Sequence, residues 1–287
     1  MLLPYRILAL GGGGVRGFLQ LGALQELEKQ VGSLSNQFYE GLYGCSIGSI
    51  YATAIGFGMN SEQLIRMSKK FLKFDKIFSS FQFDNALTSF KYKGLFGMDT
   101  FEEILLESFK SENIDLKYKK INDSEIPLHI ISSNLTHGCP TIFTGDVPVV
   151  AAIKASCCIP FVFRPQILYS KVYVDGDVLT NIIMKRVPER ERHKTLAFSI
   201  IQSNNHITPS NLEKMQIQNY MYRLFKTLSE YDHQVFEHEN TVKLIYPNVS
   251  IMSAMTEDDQ DDMIQTGREV LRSFLASKSA HKESIKC

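Results

Sequence analysis

Apolar and polar positions along this chain alternate between two rhythms. Arg6 to Leu10 is a short apolar run that ends on four glycines, the pattern of a buried strand entering a tight turn. Phe18, Leu21, Leu24, Leu27 and Val31 then recur at helical spacing. The pair repeats, with a second strand expected over Phe38–Tyr43 and a second helix over Ile47–Ile55. Ser61, placed before Glu62, Leu64, Ile65 and Met67, predicts a capped helix running to Lys73. Thr100-Phe101-Glu102-Glu103 fits a capping box that opens another. Further strands are expected over Leu128–Ser132, Pro140–Thr144, Lys171–Val174, Leu196–Ile201 and Val242–Tyr246. Further helices are expected over Pro148–Ser156, Leu212–Leu228 and Met263–Leu275.

Strands alternating with helices predict an α/β layered domain. No internal repeat and no linker interrupts it. Residues 1–277 therefore read as one domain, and residues 278–287 as a polar, frayed tail. Residues 74–97 lose periodicity and are rich in phenylalanine, including Phe74, Phe78, Phe81, Phe83, Phe90 and Phe96. They read either as a lid or acyl-chain groove, or as plain core.

Composition narrows the function. The 287 residues are 44% hydrophobic, enough for one large buried core. Lys plus Arg and Asp plus Glu both number 31, so the net charge is zero. That argues against a nucleic-acid partner and against whole-molecule attraction to anionic membranes, while local patches remain open. The five cysteines show neither paired spacing nor a CxxC, so no disulfide framework and no metal site are expected. The first residues lack a basic stretch followed by a long apolar core, so a cytoplasmic setting is expected, with peripheral contact at membranes. The run between Glu40 and Glu62 is uncharged and as long as a membrane span, but glycines and serines interrupt it. A buried strand, turn and helix account for it better. The acidic stretch Glu257–Asp262 lacks the glycine and terminal glutamate of a calcium loop and reads as a helix start.

Three motifs carry chemistry. Gly44-Cys45-Ser46-Ile47-Gly48 lies between a predicted strand and a predicted helix. That is the context of a nucleophile elbow, in which small residues let a sharp turn expose a serine hydroxyl. The helix start at Ile47 offers unpaired N–H groups to developing negative charge. Secondly, in the loop Gly11–Gly17 successive glycines let N–H groups approach an anion closely. The spacing Gly12, Gly14, Gly17 also satisfies a dinucleotide-binding fingerprint, for which Glu40 lies near the position of the ribose-binding acid. Thirdly, Asp175-Gly176-Asp177 follows a predicted strand, where a carboxylate can face the top of a sheet; Asp-Gly is also a common turn pair. A histidine triad using His206, His233 or His238 is the rival mechanism.

With Ala155-Ser156-Cys157-Cys158-Ile159-Pro160, these motifs stand in the order found in the patatin-like phospholipases, and residues 5–183 resemble that family. Asp177 departs from it, since the family usually has glycine or alanine there. The resemblance implies a three-layer patatin-like domain with a central, mostly parallel sheet flanked by helices. It implies hydrolysis of carboxylic ester bonds in phospholipids or other acyl lipids, without calcium or cofactor. Ser46 would be the nucleophile and Asp175 its base. Backbone N–H groups of Gly12, Gly13, Gly14 and Ile47 would hold the oxyanion, and Gly44 and Gly48 would shape the elbow. Arg16 would order the loop or attract a phosphate headgroup. The alternatives are a Rossmann-like dinucleotide-binding protein using Gly12–Gly17, and a catalytically silent binding module of the same fold.

Overall fold

The alternating pattern builds an eight-stranded sheet in the computed structural model. The structure describes residues 3–72, 92–180, 182–202, 236–246 and 255–284, with residue 249 and a few positions between 209 and 227. The strands are β1 (Ile7–Leu10), β2 (Gly41–Cys45), β3 (Gly94–Phe96), β4 (Leu128–Asn134), β5 (Cys139–Phe143), β6 (Phe161–Phe163), β7 (Gln166–Leu168), β8 (Lys171–Val174), β9 (Thr195–Gln202) and β10 (Thr241–Tyr246). The helices are α1 (Gly17–Val31), α2 (Leu34–Gln37), α3 (Ile47–Gly56), α4 (Ser61–Phe71), α5 (Asp99–Lys110), α6 (Val149–Ser156), α7 (Pro209–Leu212) and α8 (Glu257–Ser284).

The sheet runs β10-β9-β1-β2-β4-β8-β7, with β5 also on β4, and β3 and β6 pair separately. From β10 to β4 every pairing is parallel, whereas β5, β8 and β7 join antiparallel. The central strands β1 and β2 are buried at every position, as expected of parallel strands covered on both faces. Their alternate residues divide between two clusters. Leu8, Leu10 and Leu42 join the main core with α1, α3 and α8. Ile7, Ala9, Tyr43 and Cys45 pack under the 3-10 turn Ile183–Arg186 on the other face.

One topological detail positions the site. A strand has two hydrogen-bonding edges, yet β4 has three partners. β5 covers Ile130–Asn134 and overlaps both β2 at Ile130–Ile131 and β8 at Ser133–Asn134. β2 and β8 must therefore share the opposite edge of β4. They approach head-on, β2 ending at the level of Ile131 and β8 at the level of Ser133.

Several elements differ from the expected ones. β2 starts at Gly41 rather than Phe38, because Ser33 caps the short α2 just before it. The cap of α4 is Asn60, which forms a capping box with Gln63; Ser61 instead bonds Glu28 through its N–H and hydroxyl. Helix α5 opens at Asp99 with Met98 at the cap, so the expected Thr100 box is not used. The polar stretch after Ser277 continues α8 as far as Ser284 instead of fraying there. Helix α8 crosses α1 at backbone contact, since a Cβ on Gly267 would lie 2.0 Å from Leu19 O. The expected helix Leu212–Leu228 lies largely outside the described residues, as do the phenylalanines from Phe74 to Phe90; Phe96 belongs to β3.

Candidate active site

Ser46 fills the gap between the converging strands. It joins β2 to α3 with φ 52° and ψ −128°, a left-handed backbone that a serine adopts only at a cost of about 1–3 kcal/mol. The flanking glycines make the turn possible. A Cβ on Gly44 would lie 2.5 Å from Ser49 Cα, and one on Gly48 would lie 2.2 Å from Leu10 O. The elbow is thus closed directly onto the end of β1.

The backbone of Ser46 is held at both ends by other serines. Its N–H donates to Ser156 Oγ at 2.9 Å, and that hydroxyl donates to Ile131 O at 2.6 Å. Its carbonyl accepts from the Ser49 hydroxyl at 2.6 Å and the Ser49 N–H at 2.8 Å. The Ser46 side chain points at Asp175, and Oγ donates to Oδ2 at 2.7 Å. Ser46 is 6% exposed and Asp175 4%, so the pair is nearly closed to water.

Asp175 arrives at the end of β8. Its N–H donates to Cys158 O at 2.7 Å, and its Oδ1 accepts from the Asp177 N–H at 2.9 Å. Ser132 and Ser133 of β4 secure the chain around it. Ser132 Oγ donates to Val174 O at 2.9 Å and lies 2.8 Å from Ala155 O, while Ser133 Oγ donates to Gly176 O at 3.2 Å. The Asp177 side chain is half-buried and held rather than free. Its Oδ1 accepts from Cys45 Sγ at 3.4 Å, and its Oδ2 lies 2.1 Å from where a Cβ on Gly12 would stand.

That contact brings the glycine loop to the same place. Gly11 is tied to β9 through Phe198 O, but among the described residues nothing accepts from the N–H groups of Gly12 or Gly13. Gly14 opens a 3-10 turn and Ile47 opens α3, so both stand where helical N–H groups lack intrahelical partners. Arg16 is 1% exposed and its Nε donates to Gly13 O at 3.4 Å. Burial beneath the loop suits it to ordering the glycines and keeps its guanidinium from a headgroup in solution.

Cys45, Asp175 and Asp177 offer ligand atoms all within 4.8 Å of one another, the one such group of three among the described residues. Burial, then the neighbouring Asp177 carboxylate, pushes the Cys45 thiol well up, so it remains a protonated donor. A thiol with two carboxylates is a poor set for calcium, which takes six to eight oxygens.

The other candidates lie elsewhere. Glu40 precedes β2 at the opposite edge of the sheet and pairs with Lys194, so it stands far from Gly12–Gly17 and cannot act there as a ribose ligand. His238 precedes β10 at that same far edge, where its Nδ1 accepts from the Asn240 N–H. His206 and His233 are outside the described residues. Ser49, Ser132, Ser133 and Ser156 had no role assigned from the sequence, although Ser156 was part of a motif.

The profile of the patatin-like phospholipases matches residues 8–186. The chain belongs to that family. A protein of Invertebrate iridescent virus 6 named "Probable lipid hydrolase 463L" is 27% identical over 233 residues, covering 70% of this chain and 73% of that protein. The cUMP-AMP-activated phospholipase of Escherichia coli is 39% identical over 59 residues, 21% of this chain and 18% of that one. Among solved structures, VipD from Legionella pneumophila superposes with a TM-score of 0.57 at 14% identity, covering 96% of this chain and 67% of VipD, a likeness of fold. The patatin-like match contains the glycine loop, the elbow and Asp175. Among the described residues no helix is long and apolar enough to cross a membrane.

Proposed function

We propose that the chain is a phospholipase A-type acyl-hydrolase that works through a Ser46 acyl-enzyme with Asp175 as general base, independently of calcium. The 2.7 Å hydrogen bond from Ser46 Oγ to Asp175 Oδ2 carries this reading. Asp175 takes the hydroxyl proton as Oγ attacks the ester carbonyl, forming the new C–O bond and a tetrahedral oxyanion. N–H groups of Gly12, Gly13, Gly14 and Ile47 are the donors for that oxyanion; a preorganised donor of this kind is worth about 3–4 kcal/mol. Collapse expels the alcohol, which recovers the proton from Asp175. Water, activated by the same carboxylate, then releases the fatty acid. Closure of the pair to solvent keeps water from competing for the carboxylate before substrate enters.

A fluorophosphonate probe tests this directly. Labelling should map to Ser46 and vanish in Ser46→Ala, and ester hydrolysis should vanish with it. Labelling elsewhere would overturn Ser46 as the nucleophile, and an unlabelled but folded chain would support a silent binding module instead. Phospholipid hydrolysis should proceed at the same rate with EDTA present; a strict requirement for added calcium would overturn the dyad.

A further inference from the structure

The hairpin of β7 and β8 carries a tip that its own packing does not explain. Its two-residue turn is Tyr169-Ser170, with φ of 50° and 59°. Two successive positive φ values form a type I′ turn, which asparagine and glycine adopt at little cost. Here a tyrosine occupies the strained position and is 61% exposed. Ile167, on the adjoining strand, is 76% exposed. Two large apolar side chains thus meet solvent at one point of the surface.

Register fixes where that point lies. Val174 is level with Ser133 and Tyr173 with Asn134, so β8 followed back to Lys171 passes beyond the end of β4. β2 ends lower, level with Ile131. The turn therefore overhangs the carboxyl ends of the parallel strands, the edge that holds Ser46, on the order of 15 Å beyond Asp175. The β4–β5 turn leaves from the same edge, because Asn134 pairs with Cys139, and it adds Leu135, which is 51% exposed. No carboxylate occurs in the sequence between Asp146 and Asp175, while Lys171 follows the turn directly and opens β8.

We propose that Leu135, Ile167 and Tyr169, with Lys171 beside them, form a docking surface for an anionic lipid bilayer and seat the chain with its Ser46 edge toward the membrane. The choice of occupant rests on the acyl-hydrolase reading. A bilayer supplies in one object an apolar layer for Ile167 and Tyr169 and a phosphate plane for the local positive charge. The net charge of zero makes this local imbalance, rather than the whole molecule, the source of attraction.

Co-sedimentation of the Ser46→Ala chain, which consumes no lipid, tests it with two kinds of vesicle: phosphatidylcholine alone, and phosphatidylcholine mixed with phosphatidylserine. The chain should partition onto the mixed vesicles. Ile167→Ser combined with Tyr169→Ser should weaken that partition about tenfold or more, with melting temperature unchanged. Lys171→Glu should narrow the difference between the two vesicles. With Ser46 intact, the double variant should hydrolyse a water-soluble short-chain ester at the unsubstituted rate and vesicle lipid more slowly. Equal partition of the double variant, or no partition of the starting chain, overturns the proposal. So does a self-associated chain that the double substitution dissociates without changing vesicle binding. Binding through the tip by a chain that cleaves no ester would leave the docking surface standing and overturn the hydrolase reading.

Discussion

The Ser156 hydroxyl takes the backbone N–H of Ser46 at 2.9 Å, joining the end of α6 to the elbow. This bond occupies the one N–H that the Ser46 residue itself could turn toward an oxyanion. It also anchors a backbone whose φ of 52° would otherwise relax.

Ser156→Ala should therefore act through Ser46 rather than on substrate. Removing the hydroxyl leaves a buried N–H unsatisfied, at about 1–3 kcal/mol of stability. A displaced nucleophile should lower kcat by roughly 100-fold with KM little changed. Steady-state kinetics alongside thermal melting separate the two effects. A variant that loses stability but keeps kcat would show Ser156 to be structural only.

Ser46→Ala and Asp175→Asn should each abolish hydrolysis to the same residual level, and the double variant should be no worse, because a nucleophile and its base act as one unit. Asp177→Asn should be milder. Its carboxylate touches Cys45 and the flank of Gly12 rather than Ser46 Oγ. If Asp177→Asn is dead while Asp175→Asn turns over, the base is misassigned.

Thiol alkylation should spare activity. Burial pushes the Cys45 and Cys157 thiols well above their ordinary range, and Cys158 up to about 12, so none supplies thiolate near neutral pH. Cys139 is exposed. Peptide mapping after iodoacetamide treatment should find Cys139 modified before Cys45, Cys157 and Cys158, with hydrolysis retained. Inactivation that tracks modification of Cys45 would contradict this.

His129 should make stability depend on pH. Burial holds its imidazole below the ordinary value of 6.5, and the ring stacks on Tyr43 with centroids 4.1 Å apart. Between the folded and unfolded values the unfolded chain binds more protons, so stability rises with pH there. The contribution is whole above about 6.5 and fades as pH falls below it. Urea midpoints measured from neutral to mildly acidic pH should decline, and His129→Phe should flatten that decline.

The readable parts of this protein are those where backbone geometry restricts the residue type. Gly44 and Gly48 could be found because no side chain fits beside Ser49 or Leu10, and such exclusions leave a spacing in the sequence. Strand β1 was legible because both its faces are buried, which writes a continuous apolar run. Ser49, Ser132, Ser133 and Ser156 were not, since a buried hydrogen-bonding serine looks the same in sequence as a solvated one. β6 and β7 span three residues each, too short for any period to register. Helix α8 outran its apolar signal because its last turns are polar, with Lys278 held by Glu239.

The meeting of β2 and β8 on one edge of β4 also has a temporal side. Nucleophile and carboxylate are 129 positions apart, and each ends a strand that must dock separately. During synthesis Ser46 leaves the ribosome long before Asp175, and a loop of that length closes late. The growing chain would then be chemically inert toward the lipids around it until β8 is seated. Any nick or misregister that unseats β8 would return it to that state while leaving both motifs intact in the sequence.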